Sequence, residues 1–357
     1  MKVCLVSHKY QVPLNDPAIY PIGFMYVSTF FKSLGHDVKV LNYNLWDYDL
    51  EEETRGYDIV CFTGFEQFRN QILNDEKICI ENGCKTIIGG ALATFDGIPD
   101  FKGLKVTGEF PGYGVDWYNR NYPDYEGFRI DEYNRRHDIK YIGVLTTYGC
   151  PYHCTFCAQT CEFQMRDIDS VFSEIDYYVK NYGIEFISFN DNTLNINKQR
   201  FMKICRGMKE RNLPWAAAVR AAPFDDEMAR TAKDSNCEYI IIGVESFNQN
   251  KLNMMNKQIK KWQITRSLDL LEKYKIKYHS NILVGFENET CGDIFLEILS
   301  MPTGYNVFPF LVQNFIGTKN GKERNISEYK YRIIDESLRR NVEQSGKYYC
   351  DGIGYTC

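Results

Sequence analysis

A chain of 357 residues with 44% hydrophobic side chains is long enough for two domains or one large α/β barrel, and is too apolar for wholesale disorder. Its 47 acids against 42 Lys and Arg leave a net charge of −5, which gives no global attraction to nucleic acid or to an anionic membrane. No apolar run could span a bilayer and Val3–Val6 is too short for a signal-peptide core, so no membrane association and a cytoplasmic location are expected.

Residues 1–115 alternate strand and helix as a doubly wound parallel sheet requires. Lys2–Ser7 reads as a strand, Ile22–Leu34 as an amphipathic helix ended by Gly35, and Asp37–Leu41 as a second strand. Asp58–Thr63 is a third, followed by a polar helix running to Asn82. Lys85–Ile88 is a fourth, ending in Gly89-Gly90, and Leu104–Thr107 is a short fifth. From Pro111 to Asp138 the periodicity dissolves into Tyr, Asn, Asp, Pro and Arg, and residues 116–138 are read as a linker. Beyond it come Tyr141–Thr146, Glu185–Phe189, Trp215–Val219, Tyr239–Val244, Lys277–Val284 and Val307–Val312, with helical or polar stretches between. Six such strands predict a partial (β/α)6 barrel over residues 139–318, with ligands at the carboxyl ends of the strands. Residues 319–357 form a charged tail, read as helical from Ser327 to Glu343. Between Lys251 and Lys277, eight Lys and Arg face two acids; this is either a solvated helix face or a basic rim for a phosphate-bearing substrate.

Thirteen cysteines without an export signal imply thiols kept reduced, as core residues, metal ligands or catalytic groups. Most are scattered, but residues 149–158 read GCPYHCTFCA and place Cys150, Cys154 and Cys157 on one loop after a predicted strand. Three thiolates so close can hold three irons of a cubane and leave the fourth open to a substrate or cofactor. Coincidental structural thiols, or zinc completed by His153 or Cys161, remain alternatives on spacing alone.

CxxxCxxC with Phe156 before the last cysteine resembles the signature of radical S-adenosylmethionine (SAM) enzymes, and the likeness continues downstream in order. FISFNDNTLN (186–195) resembles the segment that contacts the SAM amino group, here with Asn190, Asp191 and Asn192. WAAAVRAAP (215–223) carries Arg220 where the family often holds the SAM carboxylate. CEYIIIGVESFNQNKLNMMNK (237–257) resembles the stretch that places Glu245 and Ser246 near SAM. ILVGFENET (282–290) and the Gly317-Thr318 pair resemble later motifs, with Glu287-Asn288 and Ile316 departing from the usual Pro-Gly and Pro.

The resemblance implies a [4Fe–4S] cluster on the three cysteines, SAM chelated to its open iron, and reductive cleavage to a 5′-deoxyadenosyl radical fed by a flavodoxin- or ferredoxin-type electron donor. Upstream, residues 20–44, 57–65, 86–95 and 106–112 resemble cobalamin-binding domains fused to such barrels. That likeness implies a corrin ring near Thr63, Gly64, Gly89, Gly90, Thr94, Gly108 and Glu109. The histidine-bearing DxHxxG motif is absent, and His8 stands just after the first strand, near where such a ligand would lie. The implied activity is cobalamin-dependent methyl transfer to an unactivated carbon. A radical rearrangement, oxidation or cyclisation without methyl transfer is the alternative, and a non-catalytic zinc protein a remote one.

Overall fold

The computed structural model describes residues 1–9, 21–64, 68–94, 98–106, 114–157, 162–286, 289–302 and 304–311. Over the described residues the chain divides into two compact units, residues 1–142 with 169–184, and residues 143–168 with 185–311.

The first unit is a five-stranded sheet of β1 (Lys2–Ser7), β2 (Asp37–Asn42), β3 (Ile59–Thr63), β4 (Lys85–Gly89) and β5 (Leu104–Lys105), in the order β2-β1-β3-β4-β5. Every pair is parallel, with Val3 opposite Val38 on one side and Ile59 on the other. Helices α1 (Ile22–Ser33), α2 (Leu50–Thr54), α3 (Arg69–Glu81) and α4 (Ala91–Thr94) connect the strands. A central parallel strand is covered on both faces, which is why β1 reads as an unbroken apolar run from Val3 to Val6, all fully buried. The polar α3 turns Ile72, Glu76 and Cys79 inward at helical spacing. Buried Glu76 is satisfied through Oε1, which accepts from Thr86 Oγ1 at 3.0 Å and from the N–H groups of Lys102 and Gly103 at 2.8 Å. With β1 and β3 adjacent and the order reversing there, the carboxyl ends of these strands form the crevice where open α/β sheets bind ligands.

The stretch read as linker contains two short helices, α5 (Val115–Arg120) and α6 (Ile130–Arg136). Tyr118, Tyr125, Phe128, Ile130 and Tyr133 are buried. Their helical faces are built from aromatic residues, so the apolar period is masked in the sequence. Helix α7 (Ile168–Tyr182) adds Tyr178 and Tyr182 to this cluster, the latter stacked on Tyr125 at 4.0 Å.

The second sheet has six strands, β6 (Tyr141–Val144), which spans the boundary at residue 142, β9 (Phe186–Phe189), β10 (Trp215–Arg220), β11 (Cys237–Gly243), β12 (Lys277–Val284) and β13 (Val307–Leu311), between which β7 and β8 form a separate ribbon described below. Their spatial order follows the chain, and β9 to β13 pair in parallel. Helices α8 (Lys198–Arg211), α9 (Asp226–Asp234), α10 (Gln249–Met254), α11 (Lys261–Lys273) and α12 (Cys291–Leu299) alternate with the strands. The alternation of strand and helix from β9 to β13 gives the expected partial barrel, with its strand ends on one rim. Trp215 is fully buried against Phe189 and Phe201, and its Nε1 donates to the Ser235 carbonyl at 2.8 Å. Among the described residues no helix is long and apolar enough to cross a membrane. The tail reading over 319–357 lies outside the described residues.

Candidate active site at the cysteine loop

The cysteine loop leaves the barrel rim directly after β6 and is closed at its base by a short antiparallel ribbon, β7 (Thr147–Tyr148) and β8 (Gln164–Met165). Asp191, just past β9, holds the bend that launches it. Its Oδ1 accepts from the Thr146 N–H at 2.9 Å, from the Thr147 N–H, and from the Thr147 hydroxyl at 2.6 Å. Burial pushes this carboxyl above its ordinary range while those three donors pull it down. Asn192 donates to the Gly149 carbonyl at 3.2 Å, immediately before the first cysteine, and Asn190 accepts from Ser188.

Cys150 and Cys154 are half-buried and Cys157 is exposed. A Cys157 N–H bond to the Cys154 carbonyl, 3.2 Å, turns the chain between the last two. Burial pushes the Cys150 thiol up. Arg220, at the end of β10, lies over this loop. Its guanidinium sits 3.6 Å from the centre of the Tyr152 ring, and Nη1 is 3.9 Å from Cys154 Sγ. Nη2 donates to the Lys257 carbonyl, and Nε is buried without a partner. The arginine backbone is gripped on both sides by Asn195, which accepts from the Arg220 N–H and donates to its carbonyl, each at 2.8 Å.

Glu245 lies just beyond β11 in the left-handed region at φ 64°, a conformation that costs a non-glycine residue energy and marks a position held by its surroundings. The grip comes from β12: the Glu245 N–H donates to Asn281, and its carbonyl accepts from Leu283. Its Oε1 meets buried Lys257 Nζ at 2.7 Å. The same ammonium stands 5.8 Å from the centre of the Phe156 ring. Gly243 lies against this pair: a Cβ there would stand 2.9 Å from Lys257 Nζ and 3.0 Å from Glu245 Oε1, so a larger residue would displace their tips. The segment carrying Lys257 also binds the cysteine loop through its backbone. Thr155 N–H donates to Met255, and the Asn256 amide donates to the His153 carbonyl at 2.8 Å.

Phe156, Arg220 and Glu245 are therefore brought to one place, with Lys257 at its centre. Lys257 ends the stretch 237–257, whose motif points only to Glu245 and Ser246. Ser246 is engaged differently: its hydroxyl donates to Glu297 on α12 at 2.6 Å and accepts from Asn248 N–H. Nearby, Lys251 pairs with Glu289 at 2.5 Å.

The donor set suits an iron–sulfur cubane. Two cations stand by the loop, Arg220 beside the Cys154 sulfur and Lys257 over Phe156, and at Cys150 their charges oppose the upward push of burial. Among the described residues no three Cys, His, Asp or Glu groups converge on one ion-sized point. A cubane does not ask for that, since each cysteine takes its own iron.

In the first unit, Thr63 and Gly64 follow one another at the end of β3, and Gly89 and Gly90 at the end of β4. Gly90 has φ 78°, and a Cβ there would lie 2.8 Å from Thr63 Oγ1. Gly64 packs closely, since a Cβ would lie 2.9 Å from the end of the Ile72 side chain and 3.3 Å from Phe68 Cβ. The Thr94 side chain, Gly108 and Glu109 lie outside the described residues. His8, buried at the end of β1, has Nε2 2.7 Å from Asp75 Oδ2 and its ring among Tyr43, Phe62 and Phe68.

Residues 144–295, from the end of β6 into α12, match the model of the radical SAM superfamily. That stretch is a radical SAM domain. Its relatives include an uncharacterised methyltransferase of Pyrococcus horikoshii, 28% identical over 174 residues, 47% of this chain and 38% of that protein. Another is the bacteriochlorophyllide d C-12(1)-methyltransferase of Chlorobaculum tepidum, 30% identical over 168 residues, 44% of this chain and 37% of that protein. The chain thus spans less than two fifths of either relative. Across both units the fold is similar to that of TsrM from Kitasatospora setae, a radical SAM methyltransferase solved with cobalamin and a [4Fe–4S] cluster. The TM-score is 0.72 at 17% identity, covering 90% of this chain and 77% of that one. This is a likeness of fold.

Proposed function

We propose that the chain is a cobalamin-dependent radical SAM methyltransferase acting on an unactivated carbon. The observation that carries the reading is the radical SAM domain's own cysteine loop, clasped at the strand ends by Arg220 and by the Lys257–Glu245 pair. Cys150, Cys154 and Cys157 would hold a [4Fe–4S] cluster, which with SAM supplies one-electron cleavage to a 5′-deoxyadenosyl radical. The relatives named as methyltransferases and the cobalamin-bound fold neighbour support methyl transfer; the corrin would lie at the strand ends of the first unit, beside Gly89 and Gly90.

The chain's own residues have separable tasks. Arg220 presents a guanidinium with a buried, unpartnered Nε, suited to a carboxylate such as that of SAM. Lys257 pairs with one oxygen of Glu245, whose left-handed backbone β12 holds, and leaves the other carboxylate oxygen outside that pair, suited to an amino or hydroxyl donor. Asp191 and Asn192 hold the base of the loop so that the thiols keep their places.

Anaerobic reconstitution with iron and sulfide tests the reading. Wild-type protein is expected to gain iron–sulfur absorption and a corrinoid spectrum, and to form 5′-deoxyadenosine and S-adenosylhomocysteine from SAM. Cys154→Ala should lose the iron–sulfur absorption and the 5′-deoxyadenosine together. Retention of either by the variant would defeat the assignment. 5′-Deoxyadenosine without S-adenosylhomocysteine would point to a radical reaction other than methyl transfer.

A further inference from the structure

We propose that the cationic groove at the start of α11 is the docking surface for a small acidic electron-carrier protein, an inference that rests on the radical SAM reading above. Lys260, Lys261, Trp262 and Arg266 line an open groove of about 650 Å³. Other cations of the same stretch are neutralised: Lys251 by Glu289, Lys257 by Glu245 and Lys273 by Asp226. Lys260, Lys261 and Arg266 form no ion pair within 4 Å among the described residues, though the charge of Arg266 also acts on Asp225. Asp269, the acid in the groove, accepts from the Tyr305 hydroxyl. The first turn of α11 contains no acid, so the positive end of the helix dipole adds to the field. In a chain whose net charge is −5, this patch selects partners of negative charge.

Position links the patch to the cluster. Met255 and Asn256 are hydrogen-bonded to Thr155 and His153 of the cysteine loop. Lys260 follows Lys257 by three residues, so their Cα atoms are at most about 11 Å apart. Gln249 of α10 ties the segment down, accepting from the Lys261 N–H at 2.9 Å and donating to the Ile259 carbonyl at 3.2 Å. Cys157, on the same loop, is exposed. A protein seated on the groove would therefore lie beside the outer edge of the cluster.

The shape favours a protein over a small anion. A phosphate or carboxylate site wants buried donors converging on one point, whereas these cations are spread along an open helix face. Trp262, 60% exposed, offers the kind of aromatic anchor that protein interfaces use. The transfer balances simply: one electron leaves the carrier's reduced centre, which is oxidised by one, and enters the cluster, which is reduced by one.

The test uses the full chain, reconstituted anaerobically, and compares 5′-deoxyadenosine formation driven by reduced flavodoxin with formation driven by dithionite. Reversing Lys260, Lys261 and Arg266 together to Glu should lower the flavodoxin-driven rate about tenfold or more and leave the dithionite-driven rate unchanged. The wild-type flavodoxin-driven rate should fall with added salt, and the variant's should not. Should the reversed variant fail to fold, K260Q with K261Q and, separately, Trp262→Ala should each lower only the flavodoxin-driven rate. Equal loss under both reductants would assign the groove to substrate or SAM, and an unchanged flavodoxin-driven rate would also overturn the docking surface. If wild-type protein forms no 5′-deoxyadenosine with dithionite, the underlying radical SAM reading fails and the docking proposal falls with it.

Discussion

Lys257 shows how one buried cation can organise a site. Its side chain is 6% exposed and its only ion-pair partner among the described residues, Glu245, is 14% exposed. Removing one member of such a pair leaves the other charge buried and uncompensated, which costs about 3–5 kcal/mol. Lys257→Met should therefore shift urea unfolding strongly to lower denaturant, while Lys273→Met, whose pair with Asp226 is solvent-exposed, should leave it unchanged. The Lys257 backbone carbonyl that accepts from Arg220 survives the substitution, so any loss of SAM binding would report the side chain. Little of this was legible beforehand. The cysteines declare themselves by spacing, and Arg220 and Glu245 by their place in ordered motifs. That Arg220 stacks on Tyr152, or that Asn256 reaches His153, depends on contacts between residues 68 and 103 positions apart. Asp191 and Ser246 illustrate the converse: motif position led to SAM, whereas the hydrogen bonds seen here go to Thr146, Thr147 and Glu297.

Among the elements, strands were easiest to read because both faces of a parallel sheet are covered and each strand becomes a short apolar run bounded by turn residues. The helices α5 and α6 were missed because Tyr118, Ile130 and Tyr133 form their inner faces amid a polar, aromatic stretch. The ribbon of β7 and β8 was also missed, since two-residue strands have no period to detect. Neighbouring strands further carry a pH-sensitive contact. Tyr239 on β11 and His279 on β12 approach at 2.7 Å between the phenol oxygen and Nδ1, and burial lowers the histidine's pKa below 6.5. The unfolded chain then binds this proton more readily than the folded one, so stability should fall as pH drops through about 6.5 toward the lower folded value. His279→Leu should flatten the slope of unfolding free energy between pH 7 and 5, measured by urea titration at each pH. An unchanged slope would mean that the histidine is as easily protonated in the fold as out of it.

At the scale of the whole molecule, the chain contains two parallel-sheet units, each with ligand-binding potential at its strand ends, and the proposal assigns one cofactor set to each. That division is testable without knowing the substrate. Gly90 has φ 78°, and a Cβ would stand 2.8 Å from Thr63 Oγ1, so Gly90→Val would strain the turn after β4 and crowd the end of β3. The atom such a side chain would crowd, Thr63 Oγ1, belongs to the same unit as Gly90. The variant should keep the iron–sulfur spectrum and dithionite-driven 5′-deoxyadenosine formation, yet bind less corrinoid and form less S-adenosylhomocysteine. Far-UV circular dichroism would establish that the sheets persist. Corrinoid retained at the wild-type level would move its binding away from these strand ends. Parallel loss of iron and corrinoid would instead show that the turn supports the fold of both units, and the assignment of one cofactor to each would have to be abandoned.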